Sequence, residues 1–198
     1  MQSIETKGLS DFQDLLKRTP VVATKAASLA LNHGARQAVI RGKRGITSQV
    51  NLTQKYVGER LRVSRFASAT DLSSSITGRT RPTSLRRFQA RQLRRGGKPG
   101  GVSVRVKPGG SKKMRRAFFL KLKRGGASAD GFNVGVAIRL RDGEHIEGKK
   151  EPFGDDKGLY LLYGPSVDQV WRDVRDDIRP GLERDMSTEF HRQFARLI

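Results

Sequence analysis

The pattern of apolar and polar positions is helical at both ends of the chain and strand-like in the middle. Near the N-terminus Phe12, Leu15 and Leu16 share one face of a short amphipathic helix, with Ser10 as candidate N-cap and Asp11 in the first turn. Thr19-Pro20 reads as a fresh N-cap followed by proline at the first helical position, which predicts a longer second helix to about Arg41. Ala23, Ala27, Ala30, Gly34 and Ala38 form a stripe of small residues along it, flanked by Leu31, Ala35 and Val39. Such a stripe lets another backbone approach closely. Gly42, with Lys43, Arg44 and Gly45 behind it, is the predicted stop. Asn51 and Thr53 are two candidate caps for a third helix, QKYVGERLRV, whose apolar residues are Tyr56, Val57 and Leu61 and whose other face carries Lys55, Arg60 and Arg62.

From Phe66 onward the period is two. Val102, Val104 and Val106 alternate with Ser103, Arg105 and Lys107; Phe118, Leu120 and Leu122 alternate with Phe119, Lys121 and Lys123. Phe132, Val134, Val136, Ile138 and Leu140 are interleaved with Asn133, Gly135, Ala137 and Arg139. These patterns predict half-buried antiparallel strands. Asp142-Gly143 signals a tight turn, and the apolar run GLYLLY at 158–163 predicts a more buried strand. Between helices and sheet, RRFQARQLRRGGKPGG (86–101) is too rich in Gly and Arg to pack a core and reads as a loop or arm docked at one point.

The C-terminal region carries the densest local signals. Gly164-Pro165 ends the last strand, and Ser166-x-x-Gln169 is a capping box. Val167, Val170, Trp171, Val174 and Ile178 lie on one helical face, and Asp168 and Arg172 are an i,i+4 pair on the exposed side. Pro180-Gly181 is expected to break or kink this helix before Leu182, Met186, Phe190, Phe194 and Leu197 resume the pattern. The predicted fold class is α+β: an antiparallel sheet flanked by N-terminal helices and a kinked C-terminal amphipathic helix. Residues 1–198 are read as a single domain, with 86–116 a basic, Gly/Arg-rich loop or arm within it.

Composition changes this picture in three ways. Hydrophobic residues are 35% of 198, below the usual globular share, so a folded part with basic segments that order on assembly is expected. Cysteine is absent, which excludes disulfides and thiolate metal sites. No apolar run has signal-peptide or membrane-span length, so a soluble protein made in a cytosol, with no membrane partner, is expected. Charge says most. The net charge is +21, and residues 72–129 hold 17 basic side chains and no acidic one. Ordinary surfaces mix both signs. This segment is therefore expected to meet a dense negative surface: DNA, or acidic patches on protein neighbours. The candidate DNA- or phosphate-facing residues are Arg86, Arg87, Arg91, Arg94, Arg95, Lys98, Lys112, Lys113, Arg115 and Arg116.

Little else suggests chemistry. His33, His145 and His191 fall in three different predicted elements without metal-ligand spacing. No GxSxG, P-loop or GxGxxG motif occurs, and the basic segment lacks the carboxylates a nuclease metal needs. No catalytic residue, cofactor or metal is expected, and the protein is read as not an enzyme. The glycines at 96–97, 100–101 and 109–110 are read as serving flexibility, and RRGGK (94–98) as a weak RGG-like element. Tyr56 and Phe88, among basic residues, are candidates for stacking on bases. Phosphate tracking without sequence readout is the remaining mode.

The order of these features resembles the minor tail protein Z family of lambda-like phages and prophages, and more broadly the tail-completion proteins of siphophages. It rests on KGL at 7–9, TPVVATKAASLALNHGARQAV, LTQKYVGERLRV, the basic stretch leading to MRRAFFLKLKRG, and YLLYGPSVDQVW before the kinked helix. YGPSVDQVW (163–171) is its most specific piece, and Gly164, Pro165, Ser166 and Trp171 are its structural signature residues. The resemblance implies a structural virion protein at the head-proximal end of the tail (the neck), assembled in the host cytoplasm. It implies a homo-oligomeric ring, a hexamer in the particle, that lines or contacts the path of the genomic DNA end without sequence specificity. The implied neighbours are the tail terminator and tail tube proteins, with the tape measure protein a further candidate. The competing reading is a free, non-sequence-specific nucleic-acid-binding protein.

Overall fold

The structure, a computed structural model, describes residues 7–122, 134–141, 143–144, 146, 152–153 and 158–198, with only the backbone at 7–18, 95 and 99. It is α+β, as the patterning predicts. Helix α1 runs Lys7–Gln49 and the short α2 Gln54–Gly58. The strands are β1 Leu61–Arg65, β2 Ser75–Gly78, β3 Thr83–Ser84, β4 Arg91–Arg95, β5 Lys98–Val104, β6 Lys112–Met114, β7 Ala117–Lys121, β8 Val134–Arg139 and β9 Leu159–Gly164. A 3-10 turn occupies Leu85–Arg87, and helix α3 spans Val167–Leu197.

The described residues pack into two compact units. The first combines α1 up to Gly42, Leu61–Thr77 and Asp173–Ile198; the second combines Lys43–Arg60 and Gly78–Arg172. In the first unit the small-residue stripe does what its composition suggests. Ala30, Gly34 and Ala38 of the stripe are buried, continued by Ala26 rather than by the half-buried Ala23 and Ala27, and a Cβ added at Gly34 would lie 2.4 Å from Met186 Cγ of α3. The Asn32 side chain holds the loop after β1 through two bonds with Ala67, accepting from its N–H at 2.8 Å and donating to its C=O at 2.9 Å. Arg41 pairs with Asp185.

The second unit holds two antiparallel sheets, β3-β9-β8-β7 and β4-β5-β6. In the four-stranded sheet Ala137 faces Phe118 on β7 and Leu161 on β9, which places Leu122, Ala137, Leu159 and Leu161 in one buried cluster with Phe118, Leu120, Phe153 and Tyr163 against it. The 3-10 turn leads into Phe88, which is fully buried beside β9. Gly164 leaves room for its ring, because a Cβ there would sit 2.6 Å from Phe88 Cε2.

Several local expectations are corrected. The predicted break at Thr19-Pro20 and the stop at Gly42–Gly45 do not occur; α1 is continuous, and Ser10 lies inside it. Continuing past Gly42 buries Ile46 completely. That is worth about 1.5–3 kcal/mol and offsets the roughly 2 kcal/mol cost of the two helical glycines, Gly42 and Gly45. The third helix is only five residues: Thr53 caps it, accepting from Tyr56 N–H at 3.3 Å, and from Leu61 onward the chain is a strand whose backbone pairs with β2 while Leu61 is buried. The strand containing Val136 is buried on both faces rather than half-buried, since Val136 and Ala137 point opposite ways and both are inaccessible. Of the break or kink expected at Pro180-Gly181, the break does not occur: α3 runs on through them, which keeps Met186 against Gly34. The expected loop or arm at 86–116 contains β4, β5 and β6, because Phe88, Ala90, Val102 and Val104 are buried and anchor it at several points. Phe132 and Asp142 lie outside the described residues.

Candidate functional site

The basic segment is displayed on β4-β5-β6. Val102 and Val104 turn one side of β5 into the protein. Ser103, one residue out of phase, therefore faces the other way. It pairs with Arg91 on one side and Lys113 on the other. Both cations are exposed, so one row across the sheet reads Arg91–Ser103–Lys113. With strands ~4.8 Å apart, the two cationic backbones stand roughly 10 Å apart across a small hydroxyl. The hairpin tip carries Arg94, opposite Pro99, and Arg95, opposite Lys98. It is closed by Gly96 and Gly97, both at positive φ (56° and 77°). That is the two-residue turn whose handedness matches strand twist, so these glycines shape a turn and do not merely loosen the chain. Gly101 has φ 108°, and a Cβ there would be 2.5 Å from Met114 O. Only glycine admits the chain that crosses at Met114 and Arg115.

Of the ten predicted phosphate-facing residues, Arg91, Arg94, Lys98, Lys112, Lys113 and Arg115 are exposed, and Arg95 is placed by its backbone alone. The other three have partners in the fold. Arg86 donates to Ala90 O at 2.7 Å and lies over the Phe119 ring. Arg87 lies over the Tyr56 ring at 4.3 Å, as does Arg60 at 3.8 Å. Arg116 donates to Glu144 Oε1 at 2.7 Å and to Arg139 O at 2.8 Å. The hydrogen bond from Arg116, seconded by the Arg141 N–H, holds the Glu144 carboxyl down at about 2. Base stacking by Tyr56 or Phe88 is corrected: Phe88 is 0% exposed and Tyr56 3%, so neither ring offers a face. Sequence reading passes over Arg105 and Lys107, both exposed just beyond β5; the alternation treats them only as the polar phase of a strand.

The C-terminal signature is reproduced in detail. Gln169 N–H donates to Ser166 Oγ at 3.1 Å and Ser166 N–H to Gln169 Oε1 at 2.9 Å, which completes the capping box. Asp168 and Arg172 pair at 2.8 Å. Trp171 is 7% exposed, a core residue among Val167 and Val170. His33 is half-buried in α1, His191 packs edge-on against Phe190, and His145 lies outside the described residues. Among the described residues no group of three His, Asp or Glu is placed to hold a metal, and no helix is long and apolar enough to cross a membrane.

No curated protein and no solved structure matches the chain significantly. The model of the prophage minor tail protein Z family matches residues 6–197, nearly the whole chain, so the protein belongs to that family and is a structural component of a phage tail.

Proposed function

We propose that this tail protein completes the head-proximal end of the tail as a homo-oligomeric ring, six-fold in the particle, and that β4-β5-β6 faces the path of the DNA. The observation that carries the reading is the row Arg91–Ser103–Lys113 with Arg94 and Lys98 at the adjoining tip, within a 58-residue stretch that has no carboxylate of its own. Cations held in register on a sheet, with no carboxylate paired to them among the described residues, neutralise phosphate wherever it passes. They read no base, which is what a conduit requires. The neighbours in this reading are the tail terminator and tail tube proteins, with the tape measure protein as a further candidate. The protein acts without catalysis. Family membership weighs against a free nucleic-acid-binding protein.

The test is the salt dependence of duplex binding by the purified chain. Replacing Arg91, Arg94, Lys98 and Lys113 together by Gln should weaken binding equally on unrelated sequences. It should reduce the log–log salt slope by roughly one per lost phosphate contact, about 3 to 4 in all. Unchanged slope and affinity would assign these side chains to acidic protein neighbours instead.

A further inference from the structure

A second feature of the β-rich unit lies where β5 ends. Phe88 and Ala90 are both buried, yet Gln89 between them is exposed. Phe88 N–H donates to Leu85 O at 3.1 Å and Phe88 O accepts from Arg105 N–H at 2.9 Å. The chain can satisfy both neighbours only by putting Gln89 at φ 50°, the one non-glycine residue at positive φ among the described residues. Glycine would hold that conformation without strain. A side chain kept at such a position is a common mark of a working site.

Gln89 stands on the rim of an open cleft of about 320 Å³, lined also by Asn51, Arg105, Ser111 and the turn Pro108–Gly110. The walls are braced from within. Asn51 donates from its N–H to Val106 O at 2.9 Å and from Nδ2 to Lys107 O at 3.0 Å. Pro108 and Gly109 occupy the two central positions of a turn in which Gly110 N–H approaches Lys107 O at 3.4 Å and Gly109 has φ 77°. This is the type II pattern. A Cβ at Gly109 or Gly110 would meet nothing within 4 Å, so the turn leaves that side open. The lining offers a guanidinium, amide groups and a hydroxyl, with no carboxylate and no aromatic ring. Lys107 and Lys112 are exposed on the same stretch of chain. Donors with no carboxylate among them suit a tetrahedral oxyanion.

We infer that this cleft is a phosphate site, which takes one phosphodiester group of a nucleic-acid backbone with Arg105 supplying the charge and Gln89 and Ser111 hydrogen bonds. The inference rests on the DNA-path reading only for the source of the phosphate. The cleft would pin the backbone at one point beside the looser cationic sheet.

The experiment uses the full chain, inorganic phosphate and a short random-sequence duplex as probes. The variants are Gln89→Gly and Arg105→Gln. Gln89→Gly removes the side chain while relieving its backbone, so its melting temperature should hold or rise. Phosphate affinity should fall several-fold in both variants, and Arg105→Gln should also lower the duplex salt slope by roughly one. Wild-type affinity for both probes in both variants overturns the site while leaving the DNA-path reading intact. Phosphate bound in the wild type and lost in the variants, with no duplex binding at all, upholds the site and overturns DNA as its source. Displacement by a poly-glutamate peptide but not by phosphate makes the cleft a carboxylate site and overturns the proposal.

Discussion

The two units handle charge and close packing in opposite ways. In the helical unit, basic residues have acidic partners nearby: Arg41 with Asp185, Arg65 with Asp71, Arg179 with Glu183, Arg192 with Glu189. In the β-rich unit the sheet β4-β5-β6 draws on a stretch without a single carboxylate, and its Arg91, Arg94, Lys98, Lys112 and Lys113 are exposed. Cations of the helical unit thus meet acidic side chains of their own unit, whereas those of the sheet stand at the surface. Packing differs too. The helical unit brings two helices together over small residues and a pliable methionine; the β-rich unit locks an aromatic ring over a glycine. Net charge alone blurs this contrast, because +21 describes neither unit.

The contrast can be broken most forcefully in the β-rich core. Phe88→Ala or Trp171→Ala removes a buried aromatic, at a cost of about 3–5 kcal/mol. That is a large share of the ~5–15 kcal/mol typical of a folded protein. Both variants should yield little soluble folded protein, read by urea unfolding. An unshifted midpoint for Trp171→Ala would make it a docking anchor rather than core.

A matched pair of glycine substitutions sharpens the comparison. Gly164→Ala drives a methyl into the rigid Phe88 ring and should cost about 1–3 kcal/mol by overpacking. Gly34→Ala meets only Met186 Cγ and Sδ, which can swing aside. The better helix propensity of Ala, worth up to about 1 kcal/mol, should leave it near neutral. Equal losses in thermal melts would mean that the helical unit is packed as rigidly as the sheet.

Ser166→Ala should lower the melting temperature modestly, since losing such a cap costs on the order of 1 kcal/mol. The smallest effect is with pH. Glu144, in the β-rich unit, and Glu189, in the helical unit, are each held at about 2, first by an arginine hydrogen bond from Arg116 or Arg192. Their carboxyls are lower in the folded than in the unfolded chain. The stability they contribute is therefore present above about pH 4.3, the ordinary glutamate value, and is lost as pH falls toward about 2. Glu144→Gln and Glu189→Gln should each flatten the acid limb slightly, and added salt should shrink the Glu144 effect more, because both Arg116 and Glu144 are exposed while the Glu189 side chain is largely covered. A steeper acid limb in either variant would contradict the assigned direction.

The elements written in local patterns were legible in the sequence. Alternation located β5, β7 and β8, the apolar run located β9, and Ser166-x-x-Gln169 placed the start of α3 with its bonds. The small-residue stripe foretold a close helical contact, and the carboxylate-free stretch marked the basic surface. These signals sit in neighbouring residues, so they survive without knowledge of the fold. Tertiary structure alone decided the rest. Thr19-Pro20 read as a fresh helix start and Gly42 as a stop, yet α1 runs on through both, and its continuation buries Ile46 completely. Arg86, Arg87 and Arg116 look identical in sequence to Arg91 and Arg94, but Phe119, Tyr56 and Glu144 are brought to them only by folding. Gln89 gives no sign of its backbone geometry, which follows from Phe88 and Ala90 both being buried on either side of it. Propensity and charge are properties of a residue and its near neighbours; which cation is paired within the chain and which stays exposed depends on contacts that only the folded chain makes.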